Sequence, residues 1–242
     1  MPTFDPNPAK TYRIKPGYEH RTVNATLEDA AGDYWDPTRE LLSRHVQHAV
    51  YALAADLVRE RGRKTVLDVG CGMAHKLHDQ LHPIADVTGV DQRSVVDAVG
   101  RLFPDLKMVS ADFERPDDTG LGTFDLLTSV DVIEHLLDPD QLLAFIRAHA
   151  HADSVVLLST PERDVRRGTA NNRSHKAAHV REWNRAEFRA YLEDSGFAVE
   201  RHVLLPAFRV GWSRYMVKER LRLVRKRVPL NYTQAAVCRL KK

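Results

Sequence analysis

Residues Lys64 to His75 read KTVLDVGCGMAH, and this stretch decides the fold. Thr65 to Val69 is a short apolar, β-prone run, which predicts a strand; it carries an acid at Asp68 and runs into Gly70 and Gly72 on either side of Cys71. Glycines directly after a strand let backbone N–H groups approach a ligand with no Cβ in the way. The stretch is therefore a candidate nucleotide loop. A dinucleotide fingerprint would place a third glycine at position 75, and His75 there counts against NAD. The phosphate-loop pattern GxxxxGK[ST] and the nucleophile-elbow pattern GxSxG are both absent.

Working outward, Lys76 to Leu81 predicts a short helix closed by Pro83, and Asp86 to Val90 a second strand ending at Asp91. Arg93 to Leu102 reads as a helix, Leu106 to Ser110 as a third strand ending at Asp112, and Phe124 to Val130 as a fourth. Asp140 to Ala150 predicts the next helix, and Ser154 to Ser159 a fifth strand stopped by Thr160-Pro161. Asn184 with Glu187 is a capping-box pattern for a helix to Asp194, which Gly196 ends. Phe197 to Leu205 and Thr233 to Leu240 complete the strands. Upstream, Asp36-Pro37 caps a long amphipathic helix running to Arg59. Residues 1–35 read as an N-terminal arm, of which Met1 to Gly17, with four prolines and little periodicity, is irregular chain rather than a core element. Strands separated by helical patterns imply βαβ units. The expected fold class is α/β, a Rossmann-like seven-stranded, mostly parallel sheet flanked by helices, with residues 36–242 as a single domain.

At 242 residues and 43% hydrophobic content, the chain can bury one sizeable core. It has no apolar run of about 18 residues and no secretory h-region, so we expect a soluble, cytoplasmic protein without stable membrane insertion. Two cysteines, Cys71 and Cys238, exclude a disulfide scaffold and a Cys-based zinc site. A net charge of +3 does not by itself argue for nucleic acid.

Acids recur at the ends of successive strands: Asp68 ahead of the glycines, then Asp91, then Asp112-Phe113, then FDLLTSVDVIEHLLDP across the fourth strand. From roughly Val50 to Leu240 the series resembles the class I S-adenosylmethionine-dependent methyltransferases. The resemblance implies a cofactor site built from Asp68, Gly70, Cys71 and Gly72 under the methionine moiety, Asp91 on the ribose hydroxyls, Asp112 at the adenine amino group, Gln92 and Phe113 flanking the adenine, and Val130. A carboxylate such as Asp91 can accept both hydrogen bonds of a vicinal diol. Where the family often has a third glycine, this chain has Ala74.

Asp131, Glu134 and His135 stand at i, i+3 and i+4, which share one face of a helical turn. His179 follows a polar loop, 162–180. This pattern resembles the metal clusters of ubiquinone-biosynthesis O-methyltransferases and of small-RNA 3′-terminal 2′-O-methyltransferases, in which an acid-x-x-Glu-His stretch and a later His before a Glu-Trp pair hold a divalent ion. The resemblance implies Asp131, Glu134, His135 and His179 as ligands of Mg²⁺ or Mn²⁺, binding adjacent acceptor hydroxyls and lowering the pKa of one. A metal-free alternative stays open, with His135 as general base. His175 is a weaker candidate, and His45, His48 and His149 read as solvated or interfacial. Tyr34-Trp35 reads as packing, or as a pair that closes over the site.

The polar loop is too long for an ordinary connection, and such loops usually cover a site. Its Arg166, Arg167 and Arg173 suggest a polar or anionic acceptor. Arg214 to Arg227, within a basic helical insertion 207–229, carries seven basic residues and one acid; it is a solvated face, or a surface for RNA, anionic acceptor or membrane. STPERD and HVREWNRAEF also resemble bacterial methyltransferases of saccharide and natural-product assembly. O-methylation of a saccharide or glycosylated small molecule is the leading expectation, with RNA terminal 2′-O-methylation as the alternative, since that ribose presents the same diol. A homodimer stays open, as does a non-catalytic cofactor-binding subunit, against which Asp91, Glu134 and His135 argue.

Overall fold

Each short apolar run of the sequence becomes a strand of one sheet. The computed structural model describes residues 10–26, 40, 43–115, 119–208 and 231–241, with 217, 221, 224 and 225. Strands β1 (Thr65–Val69), β2 (Asp86–Asp91), β3 (Lys107–Ser110), β4 (Phe124–Val130), β5 (Ala150–Pro161), β6 (Phe197–Pro206) and β7 (Asn231–Leu240) lie in the order β3-β2-β1-β4-β5-β7-β6. The first five are parallel, and β7 runs antiparallel to both β5 and β6. The strand order reverses between β1 and β4. Open α/β sheets bind ligands outside the carboxyl ends of strands at such a switch point, so the site belongs where β1, β2 and β4 end.

Helices α1 (His48–Arg61), α2 (Arg93–Leu102), α3 (Pro139–Ala148), α4 (Arg163–Arg167) and α5 (Arg185–Asp194) connect the strands. Successive strand residues point to opposite faces, and both faces are covered. Leu67, Leu127, Val156 and Leu158 pack with α3 and α5, while Val66, Leu126, Val155 and Leu157 pack with α1 and α2. Asn184 and Glu187 form the capping box that the sequence predicts, and Asp138 caps α3 ahead of Pro139.

Four features depart from expectation. The helix expected to run to Arg59 is interrupted ahead of α1: Gln47 sits at φ +61, its side chain reaches Asp131, and Val46 bridges to Phe208. The turn after the glycine loop winds as a π-helix, Leu77–Leu81, in place of an α-helical piece. The fifth strand continues through Thr160 and Pro161 because β7 pairs with both. The polar loop holds α4, and Arg163 and Ser174 within it are buried. Within the basic insertion, Val217, Leu221, Val224 and Arg225 are helical and exposed; Tyr34-Trp35 and most of 207–229 lie outside the described residues.

The N-terminal arm is corrected most. Tyr12, Ile14 and Tyr18 are buried in the core, on a backbone that turns through positive φ at Tyr12 and Arg13 and so shows neither a helical nor a strand period. The arm crosses the carboxyl edge of the sheet. Tyr12 carbonyl accepts from the Trp183 indole (2.8 Å), Arg21 N–H donates to Val180 O (3.0 Å), the Asn24 amide donates to Glu114 (3.0 Å), and Thr26 carbonyl accepts from Gln92 (3.2 Å).

Arg181 holds this arrangement from beneath. Its guanidinium is buried, donates to the carbonyls of Leu136 and Leu137 (2.8 Å each), and lies 4.3 Å from the Tyr12 ring centroid. Burial pushes its pKa below the usual arginine value. Removing it strands two carbonyls and opens a void, so Arg181→Ala is expected to lower unfolding stability by about 2–4 kcal/mol in urea denaturation; a loss below about 0.5 kcal/mol would show that the arm docks without it.

Candidate active site

The glycine loop leaves β1 through three left-handed residues, Gly70 (φ +79), Gly72 (φ +56) and Ala74 (φ +54). Gly70 cannot be replaced without movement, since a Cβ there would lie 2.4 Å from Val132 Cγ2. Its N–H donates to Val90 O (2.8 Å), tying the loop to the end of β2. The Asp91 carboxylate accepts from the backbone N–H groups of Gly72 and Gln92 (2.8 Å each). It therefore stands at the loop's mouth, tied to the backbone on both sides. Asp112 is exposed at the end of β3, its side chain capping the Glu114 N–H (2.8 Å). Phe113 is buried, with its ring 5.8 Å from that of Phe145 in an edge-on arrangement.

Asp68 is fully buried and accepts from the hydroxyls of Tyr51 (2.7 Å) and Thr128 (2.6 Å), a brace beneath the loop rather than an exposed acid. Cys71 and Val130 are likewise buried. Lys76, overlooked in the sequence, is buried beside them; its ammonium donates to Ser43 O (2.7 Å). Burial lowers its pKa to about 8 against the attraction of Asp68 and Asp131.

At the end of β4 the chain turns through Asp131 (φ +54) into a 3₁₀ turn, Ile133–His135. Glu134, His135 and His179 each bring one donor atom within 4.8 Å of the others. Asp131 does not join them: Ser159 (2.7 Å) and Gln47 (3.2 Å) donate to its carboxylate. The fourth expected ligand is thus turned toward β5 and the pre-α1 segment, which a side chain one methylene shorter than Glu allows. Glu134 is wholly buried; Thr160 donates to Oε2 (3.0 Å), while Oε1 has no hydrogen-bond partner. Burial, and the nearby Asp131 charge, raise its pKa well above the carboxylate range.

The two imidazoles are fixed. His135 donates from Nδ1 to Ala178 O (2.6 Å) and His179 from Nδ1 to Glu182 (2.8 Å), so both rings carry their lone pair on Nε2. Glu182, the acid of the Glu-Trp pair after His179, has a role that its place in the sequence did not assign. It is buried, yet His179 and Arg167 hold its pKa far down against the effect of burial. A buried carboxylate with one unpartnered oxygen, clustered with two oriented imidazoles of which one is backed by an ionised carboxylate, is a donor set that fits a divalent cation. Of the loop arginines, Arg167 pairs with the buried Glu182 (2.9 Å) and Arg173 with Glu19 at the surface (3.8 Å), and the Arg166 side chain lies outside the described residues. His175 bonds Asn171 (2.8 Å) outside the cluster, and His149 is a buried joint to Gly122 O (2.8 Å).

Two outcomes follow from the loop. Gly70→Ala is expected to destabilise the protein by about 2 kcal/mol or more, from clash and left-handed strain, in thermal or urea unfolding. Lys76 binds a proton more weakly folded than unfolded, so burial of its charge costs stability below pH 8 and that cost fades between pH 8 and 10.5. Relative to Lys76→Met, the wild type should gain stability on the order of 3 kcal/mol across that window; parallel pH profiles would contradict it.

The family profile described as "methyltransferase domain" matches residues 38–202. Among curated relatives, the ubiquinone biosynthesis O-methyltransferase of Hahella chejuensis is 30% identical over 146 residues, 57% of this chain and 60% of the relative. The chain spans 60–65% of the length of the first curated relatives it matches. Among solved structures, a putative methyltransferase in complex with the Haloferax volcanii Trm112 methyltransferase activator superposes with a TM-score of 0.60 at 18% identity, over 81% of this chain and 91% of that one. An S-adenosylmethionine-dependent methyltransferase from Clostridium acetobutylicum gives 0.60 at 11% identity, over 84% and 96%. Among the described residues no helix is long and apolar enough to cross a membrane. With the profile covering most of the chain, the chain belongs to the methyltransferase-domain family.

Proposed function

We propose that this enzyme methylates a hydroxyl of an acceptor carrying two adjacent hydroxyls, with a divalent cation held by Glu134, His135 and His179. The orphaned Glu134 Oε1 beside two imidazoles with fixed tautomers is the observation that carries the reading. A bound cation would supply Lewis acidity, lowering the pKa of a coordinated acceptor hydroxyl. One carboxylate and two imidazoles favour Mn²⁺ over Mg²⁺, which prefers an all-oxygen shell. Glu182 keeps the His179 lone pair on Nε2, and Ala178 O does the same for His135. Asp91 and the glycine loop hold the methyl donor through its ribose and methionine ends, and Asp112 meets the adenine. Asp131 braces the turn that presents Glu134.

The activity in the relatives' name supports oxygen as the methylated atom. A neutral diol, in a saccharide or glycosylated small molecule, suits a site whose described loop arginines are engaged by carboxylates. RNA is the weaker alternative for the same reason. A metal-free variant has one supporting observation, the Nδ1–H bond of His135 that leaves Nε2 the basic nitrogen.

The test is transfer of a tritiated methyl group to saccharide, phenolic and RNA pools, before and after exhaustive chelation. Saccharide labelling that falls at least about 100-fold on chelation and returns with Mn²⁺ is expected. Undiminished transfer in the chelated enzyme would establish the His135-base reading, and labelling confined to RNA would replace the acceptor. Glu134→Gln should match the chelated enzyme while still binding the cofactor.

A further inference from the structure

We propose a second divalent-metal site on the surface, formed by His78, His82 and Asp105 and independent of the reading above. His78 and His82 belong to the π-helical turn after the glycine loop and the residue that closes it; His82 N–H donates to Leu77 O (3.0 Å), five residues back. At about 4.4 residues per turn, residues four apart stand nearly in line, and the rings are in fact stacked, with centroids 5.8 Å apart and planes at 27°. Asp105, from the loop between α2 and β3, brings Oδ2 to 3.6 Å from His82 Nδ1. One donor atom from each of the three lies within 4.8 Å of the other two.

Two further contacts orient the first ligand. Phe103 stacks on the His78 ring at 4.3 Å and 21°, and Asp79 bonds His78 Nδ1 at 2.9 Å. A carboxylate on one imidazole nitrogen is the usual partner of a histidine that ligates through the other. Zn²⁺ takes imidazole nitrogens at about 2.1 Å, so donor atoms about 3.4 Å apart are required; His82 and Asp105 are near this already and His78 must close by a rotamer adjustment. Two imidazoles and one carboxylate select Zn²⁺, Ni²⁺ or Cu²⁺ over Mg²⁺ and Ca²⁺. The three side chains are partly or largely exposed, which leaves coordination positions for water. An ion here ties the turn after the glycine loop to the chain ahead of β3. Phe103 continues the link to the loop itself, with its ring 5.4 Å from that of His75.

Calorimetric titration of the metal-free full chain with Zn²⁺ tests the site, using His78→Ala/His82→Ala and Glu134→Gln/His179→Ala. The surface variant should lose one binding event relative to wild type, while the buried-cluster variant retains it, with Asp105→Ala weakening that event about tenfold or more. Far-UV circular dichroism confirms that the exposed substitutions leave the fold unchanged. If the buried cluster binds nothing, the wild type shows a single event that the surface variant abolishes, and the surface site stands. An isotherm for His78→Ala/His82→Ala superimposable on wild type overturns it.

Discussion

The carboxylate of Glu182 is the joint on which the site depends. Buried and ionised, it receives His179 (2.8 Å), Arg167 (2.9 Å) and Ser174 (2.9 Å), while its backbone N–H donates to the Tyr18 hydroxyl (2.9 Å) and its carbonyl accepts from Arg163 (3.2 Å). One residue thus connects the histidine at the centre of the cluster to α4, to the polar loop and to the N-terminal arm. A buried charge is tolerable only when its lone pairs are engaged, and here the engagement is what orders the segments around it. The polar loop is consequently pinned at Arg163, Arg167 and Ser174, while most of its other described residues stay exposed.

A comparable division of labour holds on the cofactor side. Asp91 accepts from the N–H groups of Gly72 in the loop and Gln92 after β2, which fixes the carboxylate at the loop mouth, whereas Asp68 is sealed below by Tyr51 and Thr128. Both are strand-end acids, but only one faces the crevice. Lys76 offsets part of the negative charge of the buried Asp68 and the half-buried Asp131.

The strands were legible because their apolar runs are short and bounded by glycine, proline or acid, and β1, β4 and α2 fall where the pattern places them. The capping box at Asn184 and Glu187 was legible for the same local reason. What sequence could not carry was long-range. Tyr12, Ile14 and Tyr18 are core residues with no period to announce it, because their neighbours form turns. Asp131 shares the helical-face spacing of Glu134 and His135, yet its left-handed backbone and its bonds to Ser159 and Gln47 direct it elsewhere, and neither partner is near in sequence. Arg167 read as a contact for an acceptor, and it is spent on Glu182. The resemblance pointed to Glu134, His135 and His179, which the fold brings together; only packing could turn Asp131 away and supply the carboxylate behind His179.

The central claim is that Glu134, His135 and His179 hold a divalent ion. Anomalous diffraction from crystals of the full chain grown with Mn²⁺ and the demethylated cofactor addresses it directly. The account requires a peak bounded by Glu134 Oε1 and the Nε2 atoms of His135 and His179, with Asp131 still bonded to Ser159. Crystals that lack a peak there at saturating Mn²⁺, or that place it on Asp131, would contradict it.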